Sequence, residues 1–298
     1  MGHGLAMDFT LYWFMLPVAT LVATTAMLSG IGGAALFTPI FIIIFPLLGP
    51  QYPLESTVAA VGTALLTETF GFTSGFVGYY RKRLIDFKLA FRFLKVSVPV
   101  AIVGAFVAHL MNDAFLIAGY ALLVFGLAIV LIFFHHASTD NPTIAEGDGE
   151  QITRVDNMGR KFEYFSPKLG PINAGITGIG AFLTGLLSVG IGEVVVPQLT
   201  KRGVPVAVAA ATSVAVVIVT VAAASFTLIG KLIGAGGFSA VPWNLVAYTI
   251  PGVIIGGQIG PRLQGRVSQR AMEKGIGTLF LVIAFAMAIV SLKRLGLM

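Results

Sequence analysis

The amino-acid sequence predicts an all-α membrane protein that is built from two inverted repeats of four helical segments each. The first observation is composition, because 56% of the residues are hydrophobic and 11% are charged, whereas soluble domains carry about 25% charged residues. The second is a series of long apolar segments, and the third is a glycine–proline motif that occurs twice at corresponding places. These observations exclude a soluble domain and predict that most of the 298 residues lie in the membrane.

The apolar segments are mostly long enough to cross a bilayer, which requires about 20 residues in a helix. Two of them, 33–48 and 191–199, are shorter and directly follow the glycine motifs, so they are predicted to be re-entrant half-helices. The full set of apolar segments is 9–29, 33–48, 56–80, 89–110, 114–134, 169–189, 191–199, 205–233, 240–261 and 271–292.

The glycine–proline motif interrupts an apolar segment in each half of the chain. The first copy covers residues 29–33 and is followed by Pro39, and the second covers 189–193 and is followed by Pro197. Because lipid offers no hydrogen bonds to a backbone, a broken helix is tolerated at membrane depth only where it is buried in protein or lines a cavity. Two broken segments in corresponding halves point to the binding site of a secondary transporter. We expect each copy to start its repeat as a broken or re-entrant helix and the two copies to meet near the membrane midplane.

A polar stretch divides the chain into two halves. It predicts three parts: an N-terminal transmembrane repeat over 1–134, a polar cytoplasmic linker over 135–168 and a C-terminal transmembrane repeat over 169–298. Small residues recur in any membrane bundle, but several blocks recur here in the same order, which favours a duplication. The paired blocks are 60–64 with 209–213, 85–89 with 241–245, and 98–104 with 250–256.

The basic residues predict how the repeats are oriented. If each motif segment returns to the side on which it began, the repeats are inverted. Of the 19 basic residues, all then lie inside except Lys231, Lys293 and Arg294. With eight plain spans, the basic loops around Lys201 and Arg270 would face outside, against the positive-inside rule. We therefore predict inverted repeats with both termini outside. The net charge of +6 then reports orientation and contact with membrane lipid, not binding of nucleic acid.

Several kinds of chemistry have no support in the sequence. The chain contains no cysteine and four histidines, without the spacing of a metal site. There is no credible Ser–His–Asp set and no nucleotide-binding P-loop. We therefore predict no enzyme activity, no catalytic residue, no metal and no cofactor.

The duplicated motif and its surroundings resemble the sulfite exporter TauE/SafE family over essentially the whole chain. The resemblance implies membrane transport of a small sulfur-containing oxyanion, such as sulfite or a sulfonate like sulfoacetate. The implied transport is usually export, across a bacterial cytoplasmic (inner) membrane. The second copy departs from the family pattern, because Glu193 stands where a third glycine is usual. The residues that carry the resemblance are the segments 30–39 and 190–197, the Ala-Thr-Ser block near 209–213, and the helices that contain Pro99 and Pro251.

A compact oxyanion suits the free N–H groups and partial positive charge at a half-helix N-terminus. Glycine allows the backbone to approach such a ligand closely, although small residues also serve helix packing. Hydroxyl groups on the following helix could add hydrogen bonds, or could instead bond to neighbouring helices. The predicted substrate-binding residues are Gly30, Gly32, Gly33, Thr63, Gly190, Gly192, Glu193, Thr212 and Ser213.

Two carboxylates, Glu68 and Glu193, lie deep in apolar sequence. Charged carboxylates at membrane depth are costly and are by default functional. We predict that one or both couple transport to protons by alternating access; the alternative is a structural carboxyl group bonded to a neighbouring helix.

Two further interpretations of the function remain open. One is an anion channel or uniporter, and the other is an importer of a related sulfur anion on the same fold. The sequence leaves open the substrate, the direction of transport, the coupling ion and the oligomeric state, with a homodimer among the options.

Overall fold

The computed structural model describes residues 9–29, 32–133, 150–263 and 269–297. Helices dominate this part of the chain, and a short two-stranded sheet lies between its two halves. The helices are α1 Met15–Ser29, α2 Ala34–Pro39, α3 Phe45–Leu48, α4 Thr57–Arg81, α5 Phe87–Leu110, α6 Asp113–Phe133, α7 Pro171–Leu187, α8 Ile191–Thr200, α9 Val206–Gly236, α10 Trp243–Leu263 and α11 Gln269–Arg294; the strands are β1 Gln151–Val155 and β2 Lys161–Phe165.

The segments that follow the two glycine motifs form short helices, as the sequence predicts. Helices α2 and α3 are joined by a π-helical turn over Ile40–Ile44 and form one apolar helix, Ala34–Leu48. The turn comes directly after Pro39, which has no N–H for the helical hydrogen-bond ladder. Helix α8 has 10 residues, about half of what a bilayer requires. By length and composition, α5, α6, α9 and residues 270–294 of α11 can cross a membrane.

The helix contacts of one half recur at the equivalent helices of the other half. Helix α1 packs against α10, and its counterpart α7 packs against α5. Helix α4 packs against α10, and its counterpart α9 packs against α5. The remaining large contacts, α4 with α9 and α6 with α11, pair each helix with its own counterpart. A two-fold relation between the halves produces this pattern, and it holds for parallel as well as inverted repeats.

Individual residues repeat the same relation. A Cβ atom added to Gly104 of α5 would clash with the carbonyl oxygen of Phe182 in α7, and one added to Gly256 of α10 would clash with that of Thr20 in α1. Ser97 and Thr249 each lie two residues before the proline of their helix. Each forms a hydrogen bond with a threonine of the facing helix: the hydroxyls of Ser97 and Thr220 lie 2.7 Å apart, and those of Thr249 and Thr67 lie 2.9 Å apart.

The predicted polar linker contains a β-hairpin that packs against the start of α5. The carboxylate of Asp86, which is fully buried, accepts a hydrogen bond from the Tyr164 hydroxyl at 2.8 Å and lies 3.6 Å from the Arg154 guanidinium. The same carboxylate caps α5 by accepting from the Leu89 amide at 3.1 Å. Burial, and then the bond to Asp86, raises the pKa of Tyr164 well above its ordinary value, so the hydroxyl stays protonated and donates. This hairpin was not predicted from the sequence.

Candidate functional site

The second glycine motif forms a tight turn between α7 and α8. Helix α7 ends with Ser188 in the left-handed region, at φ 63°, and Gly190 follows with φ 143°. A Cβ atom on Gly190 would lie 2.6 Å from the carbonyl oxygen of Gly180, so both the dihedral angle and the space require glycine. The hydroxyl of Thr184 then accepts from the amide of Ile191 at 2.7 Å. This bond satisfies one of the free N–H groups at the start of α8.

The carboxylate of Glu193 joins the two motifs. Its Oε2 accepts a hydrogen bond from the amide of Gly190 at 3.1 Å, and its Oε1 accepts one from the amide of Gly32 at 3.1 Å. The tips of the two motifs therefore meet in the folded chain, although they are far apart in sequence. Close to them, the hydroxyls of Thr38 in α2 and Ser188 lie 2.8 Å apart.

A second carboxylate, that of Glu68 in α4, lies beside the first motif. The residue is 3% exposed, and its carboxylate faces the amides of Gly33 and Ala34 at the start of α2. Within the described part of the chain, its Oε1 has no hydrogen-bond partner. A Cβ atom on Gly32 would lie 2.8 Å from Oε1 of Glu68 and 3.7 Å from Oε1 of Glu193. The two acids thus converge on Gly32, which has no room for a side chain.

Tyr120 of α6 completes the surroundings of the two acids. Its hydroxyl donates to the carbonyl oxygen of Ala35 at 2.6 Å, and its ring is fully buried. It lies close enough to Glu68 and Glu193 to be affected by the charge of both. Tyr120 was not among the predicted site residues, because one tyrosine in an apolar span is an ordinary packing residue. The signal in the sequence was a single hydroxyl group in the apolar segment 114–134.

The structure places the other predicted site residues as follows. Gly33 caps α2, and Gly192 is buried in the first turn of α8. Thr63 is fully buried, and its hydroxyl has no hydrogen-bond partner among the described residues. The hydroxyl of Thr212 accepts from the amide of Asp86 at 3.0 Å, so it joins α9 to the loop before α5. Ser213 is buried, and Gly30 lies outside the described residues.

The site contains acids and backbone amides but no paired base. In the described ranges, no salt bridge reaches Glu68 or Glu193, and no group of three His, Cys, Asp or Glu side chains could hold a metal ion. The site can therefore offer N–H donors to an anion and carboxylates to a proton.

Comparison with known proteins relates the chain to one family. Residues 15–287 match the family described as "Sulfite exporter TauE/SafE". The chain belongs to the sulfite exporter TauE/SafE family. A curated relative is the "Probable membrane transporter protein YunE" of Bacillus subtilis (strain 168). Its sequence is 24% identical to this chain over 263 residues, which cover 87% of this chain and 90% of that protein. No solved structure matches the chain.

Membership of the TauE/SafE family confirms the resemblance that the duplicated motifs indicate. Together with the apolar helices, it makes the chain an integral membrane protein and a membrane transporter. In this TauE/SafE chain, the two motifs that carry the resemblance are the segments that Glu193 joins.

Proposed function

We propose that the protein is a secondary transporter of a small sulfur-containing oxyanion, such as sulfite or a sulfonate like sulfoacetate, and that it acts as an exporter. The observation that carries this proposal is the convergence of both glycine motifs and two carboxylates on one point, at Gly32. The family name supports the class of substrate.

The substrate is proposed to bind at the start of α2 and α8. The first turn of a helix has free N–H groups and a partial positive charge, which together favour a compact anion. The amides of Gly190, at the N-cap of α8, and of Gly32, one residue before the N-cap of α2, come from different halves and lie at the same place. A site of this kind requires no buried lysine, which would be costly at membrane depth.

Proton coupling and alternating access are part of the same proposal. Glu68 and Glu193 can exchange protons beside the amides that would hold the anion. With inverted repeats, the two halves would open in turn to the two sides of a bacterial inner membrane, with both termini outside. The distribution of basic residues supports this orientation.

Flux through proteoliposomes tests the function. Purified protein is reconstituted, and uptake of radiolabelled sulfite and of sulfoacetate is measured against protein-free vesicles. We expect saturable flux of at least one of these anions that is accelerated by the same anion on the opposite side. Flux without saturation would instead indicate a channel, and absence of flux for both anions would contradict the proposal.

A further inference from the structure

The amides that would bind an anion are already occupied by an anion of the protein itself. Glu193 takes one N–H from each glycine motif, from Gly190 at 3.1 Å and from Gly32 at 3.1 Å. A carboxylate presents two oxygen atoms bound to one central atom, and a sulfonate presents three, so either group can accept from both amides. The side chain of Glu193 therefore reproduces the hydrogen bonds that a sulfur oxyanion would make at the same two amides.

The two bonds fit the ionised form of Glu193. An ionised carboxylate only accepts hydrogen bonds, whereas a protonated one carries an O–H donor on one of its oxygens. Because each oxygen of Glu193 faces a backbone N–H, a proton on either oxygen would set one donor against another. Protonation therefore weakens one of the two bonds directly and lowers the hold of the side chain on both amides.

The groups that face Glu193 strengthen this competition. From α4, Glu68 approaches the same glycine, and its unpartnered Oε1 is directed at Gly32. From α6, Tyr120 adds a neutral hydroxyl that already donates to Ala35. None of these groups supplies a positive charge, so a substrate anion would be repelled by an ionised Glu193.

We propose that Glu193 is a tethered competitor that occupies the substrate site when ionised, and that its protonation releases the amides of Gly32 and Gly190 for the sulfur oxyanion. This inference rests on the proposed function, because it assigns a role at the same site. The carboxylate takes up one proton, its side chain leaves the amides, and the anion replaces it. One proton therefore binds together with each anion.

Linkage makes this inference measurable without transport. If a proton favours anion binding, anion binding must favour uptake of that proton to the same extent. Sulfoacetate is the suitable probe, because its sulfonate stays ionised and its carboxyl group has an ordinary pKa of about 4. It therefore takes up no proton itself in the pH range of the experiment. Sulfite is unsuitable here, because it gains a proton itself in the neutral range.

The experiment is titration calorimetry of the detergent-solubilised protein with sulfoacetate, in buffers of different ionisation enthalpy, between about pH 6 and pH 9. At pH values at which Glu193 is ionised before the anion binds, the wild type should take up one proton per bound anion. Its affinity for sulfoacetate should there fall about tenfold per unit rise in pH. Glu193→Gln, which keeps the size of the side chain but cannot ionise, should bind with little dependence on pH and take up no proton. Glu163→Gln, the same change on the exposed face of β2, is the matched control and should behave as the wild type.

The outcomes separate the two proposals. Absence of binding by the wild type, for sulfoacetate here and for sulfite by thermal stabilisation, would contradict the proposed function itself. Binding without proton uptake over the whole pH range would overturn the role of Glu193 alone, and the wild type decides this even if Glu193→Gln does not fold. Loss of uptake in Glu68→Gln with retention in Glu193→Gln would also overturn it, because Glu68 would then be the proton acceptor.

Discussion

Each half-helix N-terminus holds one carboxylate, but the two halves supply it differently. In the second repeat, Glu193 belongs to the motif itself. In the first repeat, Gly33 stands at the corresponding place, and Glu68 reaches the start of α2 from α4. The departure of the second motif from the family pattern is therefore matched by an acid in the first repeat. Acids at these positions also stabilise the helices through their dipoles.

Gly32 provides a test of this geometry at the scale of one residue. In Gly32→Ala, the new Cβ would lie 2.8 Å from Oε1 of Glu68, so the carboxylate or the motif must shift. Overpacking of this kind costs about 1–3 kcal/mol, and we expect transport to fall at least tenfold while the protein still folds. The measurement is sulfoacetate flux, after monodispersity has been checked by gel filtration.

Gly175→Ala is the matched control, because nothing lies within 4 Å of a Cβ atom at that position. It should retain the flux of the wild type. Equal flux in Gly32→Ala and Gly175→Ala would contradict the close approach of Glu68 to the first motif.

Among the predicted site residues, the structure brings the two acids together at Gly32, whereas the hydroxyl of Thr212 lies elsewhere. Glu68 and Glu193 were identified because a carboxylate in apolar sequence is costly and therefore informative. Thr212 bonds to the amide of Asp86, and nothing in a single sequence distinguishes such a hydroxyl from one in a site. Thr184, which caps α8, was missed for the same reason.

At the scale of elements, the hairpin of β1 and β2 is fixed to the membrane helices through Asp86. Buried carboxylates require partners, and here the partners are the Tyr164 hydroxyl, the Arg154 guanidinium and the amide of Leu89. The polar composition of the linker predicts that it lies outside the membrane. The strands themselves were not predictable, because they are short and their anchor is a distant aspartate in another loop.

Tyr164→Phe tests this anchor. The change removes a hydrogen bond to a charged group, which contributes about 1.5–3 kcal/mol, and leaves one oxygen of Asp86 without that partner. We expect a lower unfolding temperature and faster backbone hydrogen exchange in β1 and β2. Lys88→Ala is the control: it removes the ion pair with Glu150, whose side chains are 72% and 63% exposed, and should change neither quantity. Unchanged exchange in Tyr164→Phe would mean that Asp86 does not hold the hairpin.

At the scale of the whole molecule, the two-fold relation predicts that mutations at equivalent helix contacts have similar effects. The contact of α5 with α7 is equivalent to that of α10 with α1. Gly104→Ala forces α5 away from α7, and Gly256→Ala forces α10 away from α1, because each added methyl group meets a backbone carbonyl. We expect both variants to lose similar amounts of thermal stability, of about 1–3 kcal/mol or more. Gly126→Ala, with nothing within 4 Å of the added atom, should be neutral. A large effect at only one of the two equivalent positions would contradict the two-fold relation.

The orientation of the repeats is testable because the chain contains no cysteine. Single cysteines at positions 163, 201, 235 and 293 would be exposed and can be labelled in oriented vesicles by a reagent that does not cross membranes. With inverted repeats, positions 163 and 201 react from one side and positions 235 and 293 from the other. With parallel repeats, position 201 alone would react from the side opposite to position 163, which would contradict the proposed topology.

Neighbouring residues of the connector are held by different halves of the molecule. Arg92 of α5 donates to the carbonyl oxygen of Pro167 at 3.0 Å, and Arg202, in the turn after α8, donates to that of Lys168 at 2.6 Å. One residue of chain spans at most about 3.6 Å, so the two bonded carbonyl groups stay within about that distance of each other and tie the two halves together at the connector. Opening of the bundle at the connector would therefore require at least one of these two bonds to break.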